Sequence, residues 1–154
     1  MKRKAVFPGS FDPITIGHES IIRRASSLFD EMTIAIGVNA NKKYMFGLEQ
    51  RKDWIKKTFS DLSNIKVADY TGLTVDFCRE IDASYIIRGI RTAADFDFEK
   101  NISQMNKKLN PNIETILFLA NPEYSMISSS IIRDIIINKG IADQFLPDGV
   151  KIDY

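Results

Sequence analysis

Short apolar runs rich in Val, Ile and Phe alternate with segments of helical period along the whole chain, and this alternation limits the architecture more than any other feature. The strand-like runs are Lys4 to Phe7, Met32 to Val38, Ile65 to Asp69, Tyr85 to Arg88 and Thr115 to Ala120. They lack the in-out polarity of a half-solvated sheet, so they read as buried parallel strands. Between them Ile21, Ile22, Ala25, Leu28 and Phe29 recur at helical spacing, as do Phe98, Ile102, Met105 and Leu109; Leu48 to Phe59 and Val75 to Ile81 are less regular. Each of these segments is expected to cover one face of the sheet. Asn110-Pro111 ends the fourth helix, and Gly140 after Lys139 is expected to be the C′ glycine of a fifth that starts near a serine run. The class is therefore α/β: a doubly wound five-stranded parallel sheet with right-handed crossovers, in a single domain over residues 1–154. Ligands of such sheets sit beyond the carboxyl ends of the strands, where the strand order reverses.

Composition removes several classes of function. Lys and Arg number 21 against 20 Asp and Glu, a net charge of +1, which provides no field able to hold a nucleic-acid backbone or an anionic membrane. With Cys78 and His18 as the only cysteine and histidine, neither a disulfide framework nor a Cys/His zinc cluster is possible, and no metal ligand set is expected. Basic Met1 to Lys4 is followed only by Ala5-Val6-Phe7 before Pro8-Gly9, too short for an export signal. Ile116 to Ala120 and Ile131 to Ile137 are too short to cross a bilayer, so a soluble, cytoplasmic protein is expected.

The strand ends carry the chemistry. After the first strand come Pro8-Gly9-Ser10-Phe11-Asp12-Pro13 and Thr15-Ile16-Gly17-His18. Gly9 allows close approach of a ligand, Ser10 brings a hydroxyl, and Gly17-His18 opens a helix whose free amides favour an anion. A plain connecting turn is the alternative. No G-x-G-x-x-G occurs, and Gly37 to Lys43 lacks the second glycine and the Ser/Thr of a Walker loop. His18 is either a helix-start imidazole bonded to nearby backbone or a donor to an oxyanion. Arg88-Gly89-Ile90-Arg91 ends the fourth strand with two guanidinium groups suited to phosphate, and topology brings Lys42 to the same edge; solvated surface cations are the bland reading. Past the fifth strand, Tyr124-Ser125-Met126-Ile127-Ser128-Ser129-Ser130 leads into Arg133, either a second anion seat or a generous helix cap. Asn101-Ile102-Ser103 and Cys78 read as structural.

Together with Asp95-Phe96 and Glu99, these segments resemble the bacterial phosphopantetheine adenylyltransferases over nearly the whole chain. That family belongs to the nucleotidyltransferases marked by H-x-G-H or its T-x-G-H variant, here Thr15 to His18. The resemblance implies a Rossmann-like nucleotidyltransferase fold and reversible transfer of AMP from ATP to 4′-phosphopantetheine, giving dephospho-CoA and pyrophosphate in coenzyme A synthesis. It also implies Mg²⁺ with ATP, a homohexamer, and coenzyme A as an inhibitor. Carried over by position, Ser10, Lys42, Thr74 and Arg88 match substrate-binding residues. Ser10, Phe11, His18, Gly89, Ile90, Arg91, Glu99 and Tyr124, Ser125, Met126, Ile127, Ser128, Ser129 and Ser130 match ATP-binding residues. His18 matches the residue that stabilises the transition state, with Lys42 and Arg91 as further catalytic candidates. Ser10 replaces a frequent Thr, Ile16 a frequent Asn and Tyr124 a frequent Trp; the tail after Leu146-Pro147 is short.

The chemistry is coherent in physical terms. A phosphate monoester attacking the α-phosphorus of ATP is already ionised near neutrality, so the site must gather two polyanions and steady extra charge rather than supply a strong base. Direct in-line transfer without an adenylyl-enzyme is expected. A nicotinamide-mononucleotide adenylyltransferase or a cytidylyltransferase shares this logic, and a non-catalytic ATP-binding module is the alternative outside the enzymes. A signalling receiver would need paired acids after strand one and a Lys after strand five, where Pro8-Gly9-Ser10 and Asn121-Pro122 stand.

Overall fold

The computed structural model describes residues 1–154. Five parallel strands, β1 (Lys4–Gly9), β2 (Glu31–Gly37), β3 (Ile65–Tyr70), β4 (Tyr85–Ile90) and β5 (Glu114–Leu119), lie in the order β3-β2-β1-β4-β5. The helices α1 (Ile16–Ser26), α2 (Leu48–Thr58), α3 (Thr74–Glu80), α4 (Ala93–Leu109) and α5 (Ser129–Ile137) each follow the strand of the same number. The alternation of sequence patterns is thus the alternation of the fold, and β4 runs two residues past its expected end at Arg88. No helix is long and apolar enough to cross a membrane.

Strand order reverses between β1 and β4, and there the sheet splits. β1 pairs with β2 along its whole length, from Lys4 with Glu31 to Gly9 with Ile36, but with β4 only at Ala5 with Tyr85 and Val6 with Ile86. Beyond Val6 the strands part, leaving the crevice that doubly wound sheets offer to ligands.

The two faces of the sheet are packed differently. On one, α1, α2, α5 and the C-terminal tail bury Ile22, Ile55, Ile132, Ala142 and Leu146 within a core of 20 buried residues. On the other, Val75, Phe77 and Cys78 of α3 meet Val6, Ala35 and Ile86 in a core of 8. Here one expectation fails. Phe98, Ile102, Met105 and Leu109 do not cover the sheet: they are 62%, 39%, 60% and 50% exposed, and Glu99 is the only buried residue of α4. Helical spacing reveals an apolar stripe but not what it packs against. The row that turns toward the sheet is instead Glu99, Ser103 and Asn106, and with Ile102, the least exposed of the four apolar residues, it borders a cavity.

Two smaller expectations also change. Leu28 lies beyond the end of α1 and is half exposed, so the apolar row there is Ile21, Ile22, Ala25 and Phe29. At the end of α5 the left-handed residue is Lys139, with φ of 62°, not Gly140. The amide of Lys139 donates to the Ile136 carbonyl at 2.9 Å and that of Gly140 to the Ile135 carbonyl at 2.8 Å, a Schellman ending with lysine at C′. Gly140 is required one position later, where a Cβ would stand 2.8 Å from the Ile135 side chain.

Candidate active site

Two cavities open at the carboxyl edge of the sheet and share Pro8, Gly9, Ser10 and Arg88 as a common wall. The first, about 310 Å³, is bordered by the start of α1 (Thr15, Gly17, His18), the start of α5 (Ser128, Ser129, Ser130) and the cations Lys42, Arg88, Arg91 and Arg133. None of its lining residues is acidic. The second, about 270 Å³, lies between the sheet and α4, lined by Gly37, Tyr70, Thr74, Glu99, Ser103 and Asn106 among others. Phe11, His18, Gly89, Arg91, Tyr124, Ile127 and Ser128 to Ser130 therefore converge on the first, Thr74 and Glu99 on the second, and Ser10 and Arg88 on both. Ile90, Ser125 and Met126 line neither: Ile90 is buried, Met126 is 65% exposed, and the Ser125 carbonyl accepts from Arg91 Nη1 at 3.3 Å.

His18 is set by the helix start itself. Thr15 caps α1, its hydroxyl accepting from the His18 amide at 3.2 Å, while the Thr15 amide donates to His18 Nδ1 at 3.0 Å. With Nδ1 occupied as an acceptor, the neutral ring carries its proton on Nε2. Burial first, and then the charges of Arg88 and Arg91, hold the imidazole pKa down from 6.5 to about 4. Near neutrality His18 is thus an uncharged N–H donor in a cationic cavity, its ring edge-on to Phe11 at 5.1 Å.

Arg88 bridges the split in the sheet. Its Nη1 donates to the Pro8 carbonyl of β1, while Nε and Nη2 donate to Glu99 Oε1 of α4 at 3.0 and 2.8 Å. Glu99 is 6% exposed and has no role at the surface; it holds the guanidinium in place. α1 crosses β4 at Gly89, where a Cβ would stand too close to the terminal methyl of Ile21 and force that buried side chain to move. Lys42 donates to the Ser10 hydroxyl at 3.2 Å, and Arg91 sits beside Asp95 at 3.8 Å.

The serine run has specific duties. Ser128 caps α5 by accepting from the Ile131 amide at 3.2 Å, Ser129 donates to the Pro13 carbonyl at 2.7 Å, and Ser130 accepts from Arg133 at 3.2 Å. Arg133 also donates to the Asp12 carbonyl at 2.8 Å. These bonds lace the start of α5 to the loop after β1, so both helix starts open on one cavity.

The cytidylyltransferase-like family model matches residues 6–135. A phosphopantetheine adenylyltransferase of Flavobacterium psychrophilum is 53% identical over 97% of this chain and 99% of its own. Another, of Bacteroides thetaiotaomicron, is 44% identical over 98% and 99%. The chain belongs to the phosphopantetheine adenylyltransferases. Among solved structures, a bifunctional NMN adenylyltransferase/ADP ribose pyrophosphatase of Francisella tularensis superposes with a TM-score of 0.74 at 20% identity, over 97% of this chain and 46% of that one, a likeness of fold.

In this phosphopantetheine adenylyltransferase, sequence reasoning had missed three contributors. Asp12, 3% exposed, accepts from the amides of Met45 and Phe46 at 2.8 and 2.9 Å and so anchors the Lys42 loop. Arg51 of α2 donates to the Ser10 carbonyl at 2.8 Å. Tyr70 lines the second cavity, bonded to Thr74 at 2.7 Å and stacked on Phe77. Asp12 lies within the Pro8 to Pro13 segment, where its sequence neighbours drew the attention; Arg51 and Tyr70 carry no local signal.

Proposed function

We infer that the chain joins AMP from ATP to 4′-phosphopantetheine, reversibly, forming dephospho-CoA and pyrophosphate, with the nucleotide in the first cavity and the pantetheine arm in the second. The observation that carries this reading is the shared wall: a cation-lined cavity and a polar one meet at Ser10 and Arg88, where two phosphates would be brought together. A phosphate oxygen of phosphopantetheine attacks the α-phosphorus; the bond from that phosphorus to the bridging oxygen breaks, and the electron pair leaves with pyrophosphate.

Each group has a role. His18 Nε2–H donates to an equatorial oxygen as charge builds, and Lys42 and Arg91 supply positive charge beside it. Ser10, Lys42 and Arg88 hold the attacking phosphate and Thr74 the arm. Phe11, Gly89, Tyr124 and Ile127 to Ser130 enclose the nucleotide, while Ile90, Ser125 and Met126 act from outside the cavity wall. Glu99 serves through Arg88. No group of three or more His, Cys, Asp or Glu side chains is placed to hold a metal, so Mg²⁺ would have to enter with ATP. When bound it neutralises phosphate charge. A cytoplasmic single-domain enzyme, a homohexamer covering the α4 stripe, and inhibition by coenzyme A spanning both cavities complete the proposal.

The test is pyrophosphate release with ATP and Mg²⁺ on adding phosphopantetheine, against nicotinamide mononucleotide, and from CTP with glycerol phosphate. Phosphopantetheine with ATP is expected to stand alone; preference for another pair overturns the assignment. Inversion at a chiral α-phosphorus is expected, and retention would indicate an adenylyl-enzyme.

A further inference from the structure

Arg51, on the first turn of α2, is 2% exposed, yet no carboxylate lies within ion-pair distance of it. A buried cation without a counter-charge is costly, so its contacts are informative. Nε donates to the Phe46 carbonyl at 2.9 Å, Nη1 donates to the Ser10 carbonyl at 2.8 Å, and the guanidinium lies over the Tyr44 ring at 4.2 Å. Lys42 Nζ lies over the same ring at 5.4 Å and donates to the Ser10 hydroxyl. Tyr44 is fixed in turn by its hydroxyl, which donates to the Gly37 carbonyl at 3.3 Å and accepts from the Asn39 amide at 3.1 Å. The Phe46 amide in turn donates to Asp12 Oδ1 at 2.9 Å, which fixes the carbonyl that Arg51 binds.

The contacts close a ring: Arg51 to the Ser10 backbone, the Ser10 side chain to Lys42, Lys42 to Tyr44, and Tyr44 back to Arg51. We propose that Arg51 is a positioning residue for adenylyl transfer, holding the Ser10 backbone and the Tyr44 ring so that the Ser10 hydroxyl and the Lys42 ammonium meet at the wall between the two cavities. This rests on the reaction inferred above. A planar, two-donor, stacking group is required; lysine offers a point charge that cannot reproduce both the fork and the stack. Small misplacement of groups that align reactants is enough to cost roughly 100-fold in rate.

The experiment is a double-mutant cycle on pyrophosphate release with Arg51→Lys, Ser10→Ala and the two combined, with ATP affinity measured by calorimetry. Arg51→Lys is expected to lower kcat/KM for phosphopantetheine on the order of 10- to 100-fold and to leave ATP affinity within about threefold. Because it acts on the Ser10–Lys42 contact, which Ser10→Ala already breaks, it should add little to the loss caused by Ser10→Ala. Losses that multiply, or an Arg51→Lys enzyme as active as the unaltered protein, would overturn the role. Should Arg51→Lys fail to fold, the same cycle is run with Tyr44→Leu, which removes the ring that Arg51 and Lys42 share, with the same expected and contrary results. An unaltered protein without turnover on ATP and phosphopantetheine defeats the inferred reaction, and the positioning role with it; with turnover present, the cycle judges Arg51 alone.

Discussion

The two cavities are neighbours of similar size but opposite character. The first is framed by two helix starts and four cations with no acid among its lining residues; the second holds a buried carboxylate already neutralised by Arg88, with hydroxyl and amide side chains around it. A site without acids is built to take negative charge, whereas one whose only charge pair is internal is built for a neutral polar chain. In the proposed reaction, selectivity for the two reactants would follow from how charge is divided across a single wall.

The sharpest way to break this contrast is His18→Ala. The substitution removes one N–H donor from the cationic cavity, whose partner in the proposed reaction is charge that develops only in the transition state. A fall in kcat of about 100- to 1000-fold is expected, with ATP affinity nearly unchanged by calorimetry. Equal losses in both would make His18 a simple ATP ligand.

Arg88 tests the wall itself. Arg88→Met leaves the Glu99 carboxylate buried without its cation, which should destabilise the fold by about 1 to 3 kcal/mol, less than a fully enclosed pair because Arg88 is one-third exposed. Adding Glu99→Gln should restore most of the denaturation midpoint and none of the turnover. Recovery of activity along with stability would mean that Arg88 serves only to satisfy Glu99.

Acid probes the cationic side. With a folded-state pKa near 4 against an ordinary value of 6.5, His18 is neutral in both folded and unfolded chains above pH 6.5 and costs nothing there. As pH falls from 6.5 to about 4 the unfolded chain binds the proton first, so up to about 3 kcal/mol of stability is lost across that window. Turnover should stay independent of this group through pH 6 and fail only nearer pH 4. Nitrogen NMR of the single imidazole should show the Nε2–H tautomer at pH 7; an imidazolium there contradicts the geometry.

How much of this was legible before the coordinates depended on the range of the interaction. Strand runs and the order of elements are local patterns, and each of the five strands stands within two residues of its expected limits. The convergence of His18, Lys42, Arg88, Arg91 and the serine run followed from one topological rule, that strand ends meet at the switch point. What stayed hidden was pairing over distance. Nothing near Glu99 announces Arg88, nothing near Arg51 announces Ser10, and the second cavity depends on α4 turning Glu99, Ser103 and Asn106 toward the sheet. The α4 stripe misled for the same reason, since period reports a face and not its partner.

That stripe gives the smallest expected effect. Ile22 of α1 is fully buried in the larger core, and Ile22→Ala should cost about 2 to 5 kcal/mol in denaturant unfolding. Phe98, 62% exposed on α4, has no such packing to lose within one chain, so Phe98→Ser should change the unfolding free energy of dilute, unassembled protein by no more than about 0.5 kcal/mol. At high concentration the same substitution should lower the mass seen by light scattering, because an apolar row left uncovered by its own chain is suited to another copy. A large loss of stability in the dilute chain would show that Phe98 is packed within its own chain, and the row it heads would then not be free for another copy.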